Sequence, residues 1–237
     1  FFKDYSVSVF EHLEKEIENL KEKILSLGAS VEASVQRAAR SLTQRDSVLA
    51  LKVIDSDFEI DQMEVVVEEE CLKILALHQP VANDLRLIIS ILKINNDLER
   101  IGDLAVNIAE RAVYLSTHSK LDIPFDFQDM AEKTQIMLKG SLDALVNQDV
   151  KLARQVCQAD DEVDAMNREV FTLIEAEIKK NPEHLNSLIQ LLSASRYLER
   201  VADHATNIAE DVIYMVEGEI IRHFNKLTER TTKFSKE

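Results

Sequence analysis

The chain has 237 residues, of which 46% are hydrophobic and 30% are charged, a composition typical of a globular protein rather than a disordered one. Four glycines and three prolines are too few turn residues for a many-stranded β-fold, and no apolar run of about 18 residues predicts a transmembrane helix. The net charge of −15 disfavours nucleic acid and anionic lipid as partners, because an acidic surface repels phosphate groups.

The first half of the chain predicts three helices. An amphipathic run indicates a helix over about 6–44. Asp46 is placed to cap a second helix over about 47–78, because its carboxylate can accept hydrogen bonds from the free N–H groups of the first turn. Pro80 suits the first turn of a third helix over about 80–118, where a missing N–H costs little.

The second half repeats this pattern. It predicts a helix over about 127–148, a helix capped by Asp149 that runs to about 180, and a last helix that begins at Pro182 and runs to about 224. A short linker, 119–124, separates the halves. Because the linker is short, we expect the two units to touch.

Cys71 and Cys157 lie among apolar residues at helical spacing and are predicted to be buried free thiols of an intracellular protein.

An internal repeat relates the two halves. The segment 98–110 recurs at 198–210 with nine of thirteen positions identical, and a weaker match at an offset of 103 relates 46–61 to 149–164. Both third helices carry apolar residues at alternating spacings of four and three, which is typical of left-handed helix packing. The sequence therefore predicts an all-α fold of two tandem three-helix bundles, with domains at 1–119 and 120–237, the second ending in a short tail.

Acidic residues recur in register in both repeats. Glu99 and Asp103 stand one helical turn apart, and Glu199 and Asp203 occupy the same places in the second repeat. Both second helices add pairs at the same spacing, Asp57 with Asp61 and Asp160 with Asp164. Three interpretations stay open at this point: a solvated face, compensation by Arg100 and Arg200, or a bound cation.

The chemistry of these residues narrows the type of metal that could bind. Carboxylate and amide oxygens suit Mg²⁺, Mn²⁺, Ca²⁺ or iron better than structural zinc. No histidine has a glutamate three residues before it, which disfavours a ferritin-type di-iron centre. The chain has no phosphate-binding glycine loop, nucleophile elbow or zinc-protease motif. A binding or regulatory role is therefore favoured, with a carboxylate-bridged metalloenzyme and a passive helical scaffold as the alternatives.

Several segments together resemble the PhoU family of phosphate-transport regulators. They are Gln79–Arg86, Leu98–Asp103, Asn107–Glu110, Tyr197–Glu210 and Tyr214–His223. The resemblance covers about residues 10–224. It implies two three-helix bundles, a cytoplasmic homodimer without enzymatic activity, and negative regulation of the phosphate-starvation response. It also implies two partners, the ATPase subunit of a phosphate transporter and a sensor histidine kinase.

The same resemblance implies metal sites. Members of the family bind metal ions through Glu/Asp-x-x-x-Asp motifs. In this sequence these motifs correspond to Asp57, Asp61, Glu99, Asp103, Asp160, Asp164, Glu199 and Asp203. The expected cofactor is a divalent metal, Mg²⁺, Mn²⁺ or iron. The two sites need not be equivalent, because Glu64 in the first repeat corresponds to Asn167 in the second.

Overall fold

The computed structural model describes residues 2–121, 123 and 125–219, which form α-helices and no strand. The helices are α1 (Phe2–Gln44), α2 (Ser47–His78), α3 (Ala82–Ser116), α4 (Phe127–Asn147), α5 (Val150–Lys180) and α6 (Leu185–Glu217), with a short 3₁₀ turn (Pro182–His184) before α6. The all-helical fold and the tandem arrangement of three helices per repeat are confirmed. None of the described helices is both long and apolar enough to cross a membrane.

The predicted aspartate caps open the second helix of each repeat. The Asp46 carboxylate accepts a hydrogen bond from the Leu49 N–H at 3.0 Å, and the Asp149 carboxylate accepts one from the Leu152 N–H at 3.0 Å. Each cap satisfies an N–H group that has no partner within its helix. The two caps start α2 and α5 at equivalent places, which keeps the acidic residues of these helices in register.

Helix boundaries at the prolines and at the C-terminal end differ from the prediction. Pro80 lies outside α3, because Gln79 ends α2 with a left-handed φ of 46° and α3 begins only at Ala82, which has a φ of 49°. Pro182 begins the 3₁₀ turn rather than α6. The last helix ends at Glu217, since Gly218 takes a left-handed φ of 74°. Residues 220–224 of the predicted helix lie outside the described residues.

The predicted apolar rows of α3 and α6 form the centre of the molecule. Ile91, Ile94, Leu98 and Ile101 of α3 are fully buried or nearly so. Of the corresponding residues of α6, Ala194, Leu198 and Val201 are fully buried and Leu191 is partly buried. α3 packs against α1, α2 and α6, while α6 packs against α3, α4 and α5. One continuous core therefore contains side chains from both repeats. The division of the chain at residues 119 and 120 stays a prediction.

Both cysteines are free thiols, as the sequence predicts; Cys71 is buried, whereas Cys157 is only partly buried. Burial raises the pKa of Cys71 and of Cys157 to about 12, and neighbouring acids add to the effect. At neutral pH both groups are therefore protonated, which fits a packing role better than a reactive one.

A polar network crosses the contact between the two repeats. Asp97 of α3 is only 9% exposed. Its carboxylate lies 2.7 Å from Nδ1 of His204 and accepts a hydrogen bond from Asn207 at 3.2 Å, both from α6. Nearby, Lys93 forms an ion pair with the buried Asp211 at 3.3 Å. The positions that the repeat relates to Asp97 and His204 are Tyr197 and Leu104, so the network exists on one side of the α3–α6 contact.

We expect the His204→Leu variant to lose about 1–3 kcal/mol of unfolding free energy, because the buried Asp97 carboxylate would keep only the Asn207 hydrogen bond. Urea unfolding at neutral pH measures this loss. The His204→Gln variant, which retains a donor, should recover part of it. Equal stabilities of His204→Leu and the wild type would show that the network contributes nothing to the contact between the repeats.

Candidate functional site

The structure brings the acidic residues of the first repeat together between α2 and α3. We define the first acidic cluster as Asp57, Asp61, Glu64, Glu99 and Asp103. Burial and the nearby charges of Asp61 and Asp103 raise the pKa of Asp57. Burial also raises the pKa of Glu99, with repulsion from Asp103 as the next cause. Carboxylates of two helices thus lie close enough to resist ionisation together.

The second repeat places its acidic residues in the same way between α5 and α6. We define the second acidic cluster as Asp160, Asp164, Glu199 and Asp203. Burial, followed by repulsion from Asp203 and Asp164, raises the pKa of Asp160 to about 6. The pKa of Glu199 is raised by burial and then by Asp203 and Asp164. All eight residues that the resemblance implies as metal ligands therefore belong to one of the two clusters. Their role as ligands stays a prediction.

Gly102 allows α2 and α3 to approach closely beside the first cluster. A Cβ atom at this position would lie 3.2 Å from the Ile60 side chain and 3.7 Å from Oδ1 of Asp57. The contact with Ile60 is the tight one, so the absence of a side chain at Gly102 relieves crowding against Ile60 of α2. In the second repeat Ala202 stands at the equivalent position and is fully buried.

Two carboxylate oxygens of the first cluster are buried without a hydrogen-bond partner, Oδ1 of Asp57 and Oε2 of Glu99. Arg100 neutralises part of the charge, since its guanidinium lies 3.3 Å from Oε2 of Glu99 and 3.2 Å from Oδ2 of Asp103. Neutralisation of the acidic residues by an arginine, one of the three interpretations of the sequence, is therefore present on α3 in the form of Arg100. It does not reach every acid, because Oδ1 of Asp57 has no donor. A buried carboxylate oxygen without a donor is costly, and a cation would remove that cost.

The donor set fits a hard divalent cation. The clusters offer only carboxylate oxygens, which suit Mg²⁺, Mn²⁺ or iron. Among the described residues, no three carboxylate, imidazole or thiol groups are already placed to hold one ion. A bound cation would therefore require the exposed Asp61 and the half-buried Asp103 to turn toward the buried oxygens of Asp57 and Glu99.

Two residues that connect neighbouring helices beside the clusters, Asn95 and Ser195, were not predicted from the sequence. Asn95 of α3 donates hydrogen bonds to the Glu64 carboxylate and to the Glu64 backbone carbonyl, both at 3.1 Å. At the equivalent place in the second repeat, Ser195 donates to the Asn167 side chain at 3.0 Å. These contacts fix the relative position of the helices at one end of each cluster. The sequence contained a sign of these contacts. Positions 95 and 195 are polar within otherwise apolar rows, and they are 100 residues apart, as are the repeated segments 98–110 and 198–210.

The raised pKa of Asp160 predicts how stability depends on pH. Its folded-state pKa of about 6 lies above the ordinary value of about 3.9, so between these values the folded protein binds more protons than the unfolded one. The stability of the metal-free protein should therefore fall as pH rises from about 4 to 6. We expect Asp160→Asn to gain about 1 kcal/mol at pH 7, a value reduced because the side chain is partly solvated.

Urea unfolding at several pH values in the presence of a chelator measures this effect. The exposed Asp143 on α4 provides the matched control, Asp143→Asn, which should leave the pH dependence as in the wild type. An Asp160→Asn variant no more stable than the wild type at pH 7 would contradict the assignment.

Comparison with known proteins relates most of the chain to the PhoU family. The sequence model of the PhoU domain matches residues 24–112 and again residues 127–212. The phosphate-specific transport system accessory protein PhoU homolog of Pseudomonas aeruginosa is 38% identical over 216 residues, which cover 91% of this chain and 89% of that protein.

Two solved structures share the fold. The crystal structure of PhoU from Pseudomonas aeruginosa superposes with a TM-score of 0.83 at 39% identity, covering 87% of this chain and 99% of that one. The phosphate transport system regulatory protein PhoU from Streptococcus pneumoniae superposes with a TM-score of 0.78 at 29% identity, covering 88% and 98%. Each of the two matched PhoU segments contains one acidic cluster.

Proposed function

The chain belongs to the PhoU family, and we propose that it is an accessory protein that regulates phosphate transport. The observation that carries this proposal is the double match to the PhoU domain, which covers both repeats together with their acidic clusters. Relatives that match most of the chain are named for a phosphate-specific transport system. None of those names denotes an enzyme, which supports a non-enzymatic role.

We further propose that each acidic cluster binds divalent cations, Mg²⁺, Mn²⁺ or iron. Support comes from the buried Oδ1 of Asp57, which lacks a hydrogen-bond partner, and from the mutual repulsion of carboxylates in both repeats. A bound cation would neutralise these carboxylates and link α2 to α3 or α5 to α6. The Asp57, Asp61, Glu99 and Asp103 carboxylates would hold it in the first repeat. In the second repeat the residues are Asp160, Asp164, Glu199 and Asp203.

Partners and location follow from the resemblance and belong to the same proposal. We propose a cytoplasmic homodimer that contacts the ATPase subunit of a phosphate transporter and a sensor histidine kinase, and so represses phosphate-starvation genes. The transporter partner is supported by the names of the relatives. The kinase and the homodimer are supported by the family resemblance.

A deletion strain tests the role in phosphate regulation. We expect a phosphate-starvation reporter to be active in phosphate-rich medium when the gene is deleted, and to be repressed again when the wild-type chain is supplied at its normal level. Complementation by an Asp103→Asn, Asp203→Asn variant at matched protein level reports whether the clusters matter for repression. A reporter that stays silent in the deletion strain would rule out negative regulation.

A further inference from the structure

An apolar row runs along the solvent-facing side of α2. We define the outer stripe as Leu51, Phe58, Val65 and Leu72, which follow one another at intervals of seven residues. They are 50%, 64%, 48% and 53% exposed, respectively. Residues seven apart lie nearly above one another on a helix, so the stripe places one apolar side chain every two turns over about 32 Å at 1.5 Å per residue, and the turns between them carry mainly acids. Four large apolar side chains exposed along one face of a single helix are candidates for an interaction surface.

The second repeat shows that the fold does not require this stripe. At the offset of 103 that relates α2 to α5, the four positions are occupied by Arg154, Asp161, Arg168 and Glu175. Each of these side chains is charged, and all four residues are exposed. The same helical positions are therefore solvated in one repeat and apolar in the other. The outer stripe is a property of α2 alone, and packing inside the bundle does not explain it.

The charges beside the stripe indicate what could cover it. Exposed acids flank it along most of its length: Asp55, Glu59, Asp61, Glu68 and Glu69. The lysines of α2, Lys52 and Lys73, stand at the two ends of the stripe. A second copy docked helix against helix would bring these acids against the same acids. Like charges facing one another disfavour that pairing, whereas basic side chains on both edges of a partner would be attracted.

We propose that the outer stripe is the docking surface for a basic amphipathic helix of another protein. The spacing of seven places one apolar side chain per heptad on one face of α2, and the length corresponds to a partner helix of about 20 residues. Apolar residues of the partner would cover Phe58 and Val65 at the centre of the stripe. Its lysines or arginines would reach the flanking acids.

A synthetic peptide tests the proposal without the transporter or a metal, so its result is separate from the accessory role. The probe is a fluorescent peptide of about three heptads, with Leu at the a and d positions and Lys at the e and g positions. Fluorescence anisotropy in the presence of a chelator and at physiological salt measures its affinity. A peptide of the same composition in scrambled order controls for simple charge attraction.

The residues at the equivalent positions of the second repeat define the substitutions that remove the stripe. Phe58→Asp, Val65→Arg introduces the residues that α5 carries at these positions and leaves the net charge unchanged. We expect binding to weaken at least about tenfold, because two central apolar contacts are lost. The matched control is Phe171→Asp, Ile136→Arg, which makes the same exchange at two other exposed apolar residues and should bind as the wild type does. Circular dichroism checks that each variant is folded.

A second charge-neutral variant, Leu51→Arg, Leu72→Glu, also uses residues of α5 and should weaken binding in the same direction. This second variant tests the same surface if the first variant does not fold. Equal affinity of the wild type and a folded stripe variant would overturn the proposal, as would equal binding of the scrambled peptide. Sedimentation velocity adds one further outcome: wild-type self-association that the stripe variants abolish would identify a second copy as the occupant and overturn the proposal.

Discussion

The Leu98→Ala variant is expected to lose about 2–5 kcal/mol of unfolding free energy, and Leu198→Ala a similar amount. Both side chains are fully buried, one in α3 and the other at the equivalent position of α6. Each replacement removes apolar surface and leaves a cavity in the densely packed centre. The exposed Leu77 provides the control, since Leu77→Ala should change stability by no more than about 0.5 kcal/mol.

Urea unfolding followed by circular dichroism measures these losses and tests whether the repeats unfold together. Because one core contains side chains from both repeats, we expect a single transition that both variants move to lower urea. Two separate transitions, each sensitive to only one of the variants, would show that the repeats are energetically independent.

The second large expected effect is on the stabilisation that a bound metal ion confers. A cation present at about 100 times its Kd would stabilise the wild type by about 2.7 kcal/mol. We expect the Asp103→Asn, Asp203→Asn variant to lose at least half of this metal-dependent increment, because one carboxylate is removed from each cluster. Without metal, its stability should differ from the wild type by no more than about 0.5 kcal/mol, since side-chain size and hydrogen bonding are nearly unchanged.

Melting curves with and without Mn²⁺ decide this prediction. The control is Asp143→Asn, Glu183→Gln, which removes two exposed acids outside the clusters and should leave the metal-dependent increment intact. If Mn²⁺ raises the melting temperature of the cluster variant as much as that of the wild type, Asp103 and Asp203 are not ligands.

The sequence predicted the features that depend on local pattern and on the repeat. Asp46 and Asp149 begin α2 and α5, and the apolar rows of α3 and α6 are buried. The acids of each repeat come together because their spacing of four residues keeps them on one side of each helix. Register and helical periodicity predicted the acidic pairs of each helix, whereas their grouping across neighbouring helices was implied by the family resemblance.

Other features could not be anticipated, because they depend on contacts between distant segments. The Asp97–His204 pair breaks the repeat, so the repeat itself gave no reason to place the two residues together. The link through Gln79 and Ala82 uses left-handed conformations that neither residue type favours. Exposed Phe58 could not be told from its buried neighbours, since α2 carries apolar residues on two faces and periodicity does not distinguish them.

Calorimetric titration of the metal-free protein with Mn²⁺ at physiological salt tests the proposed metal binding most directly. We expect saturable heat from both clusters, with unequal affinities because Glu64 of the first cluster is replaced by Asn167 in the second. The Asp103→Asn, Asp203→Asn variant should give much less heat. A wild-type titration with no heat beyond nonspecific surface binding would contradict the account.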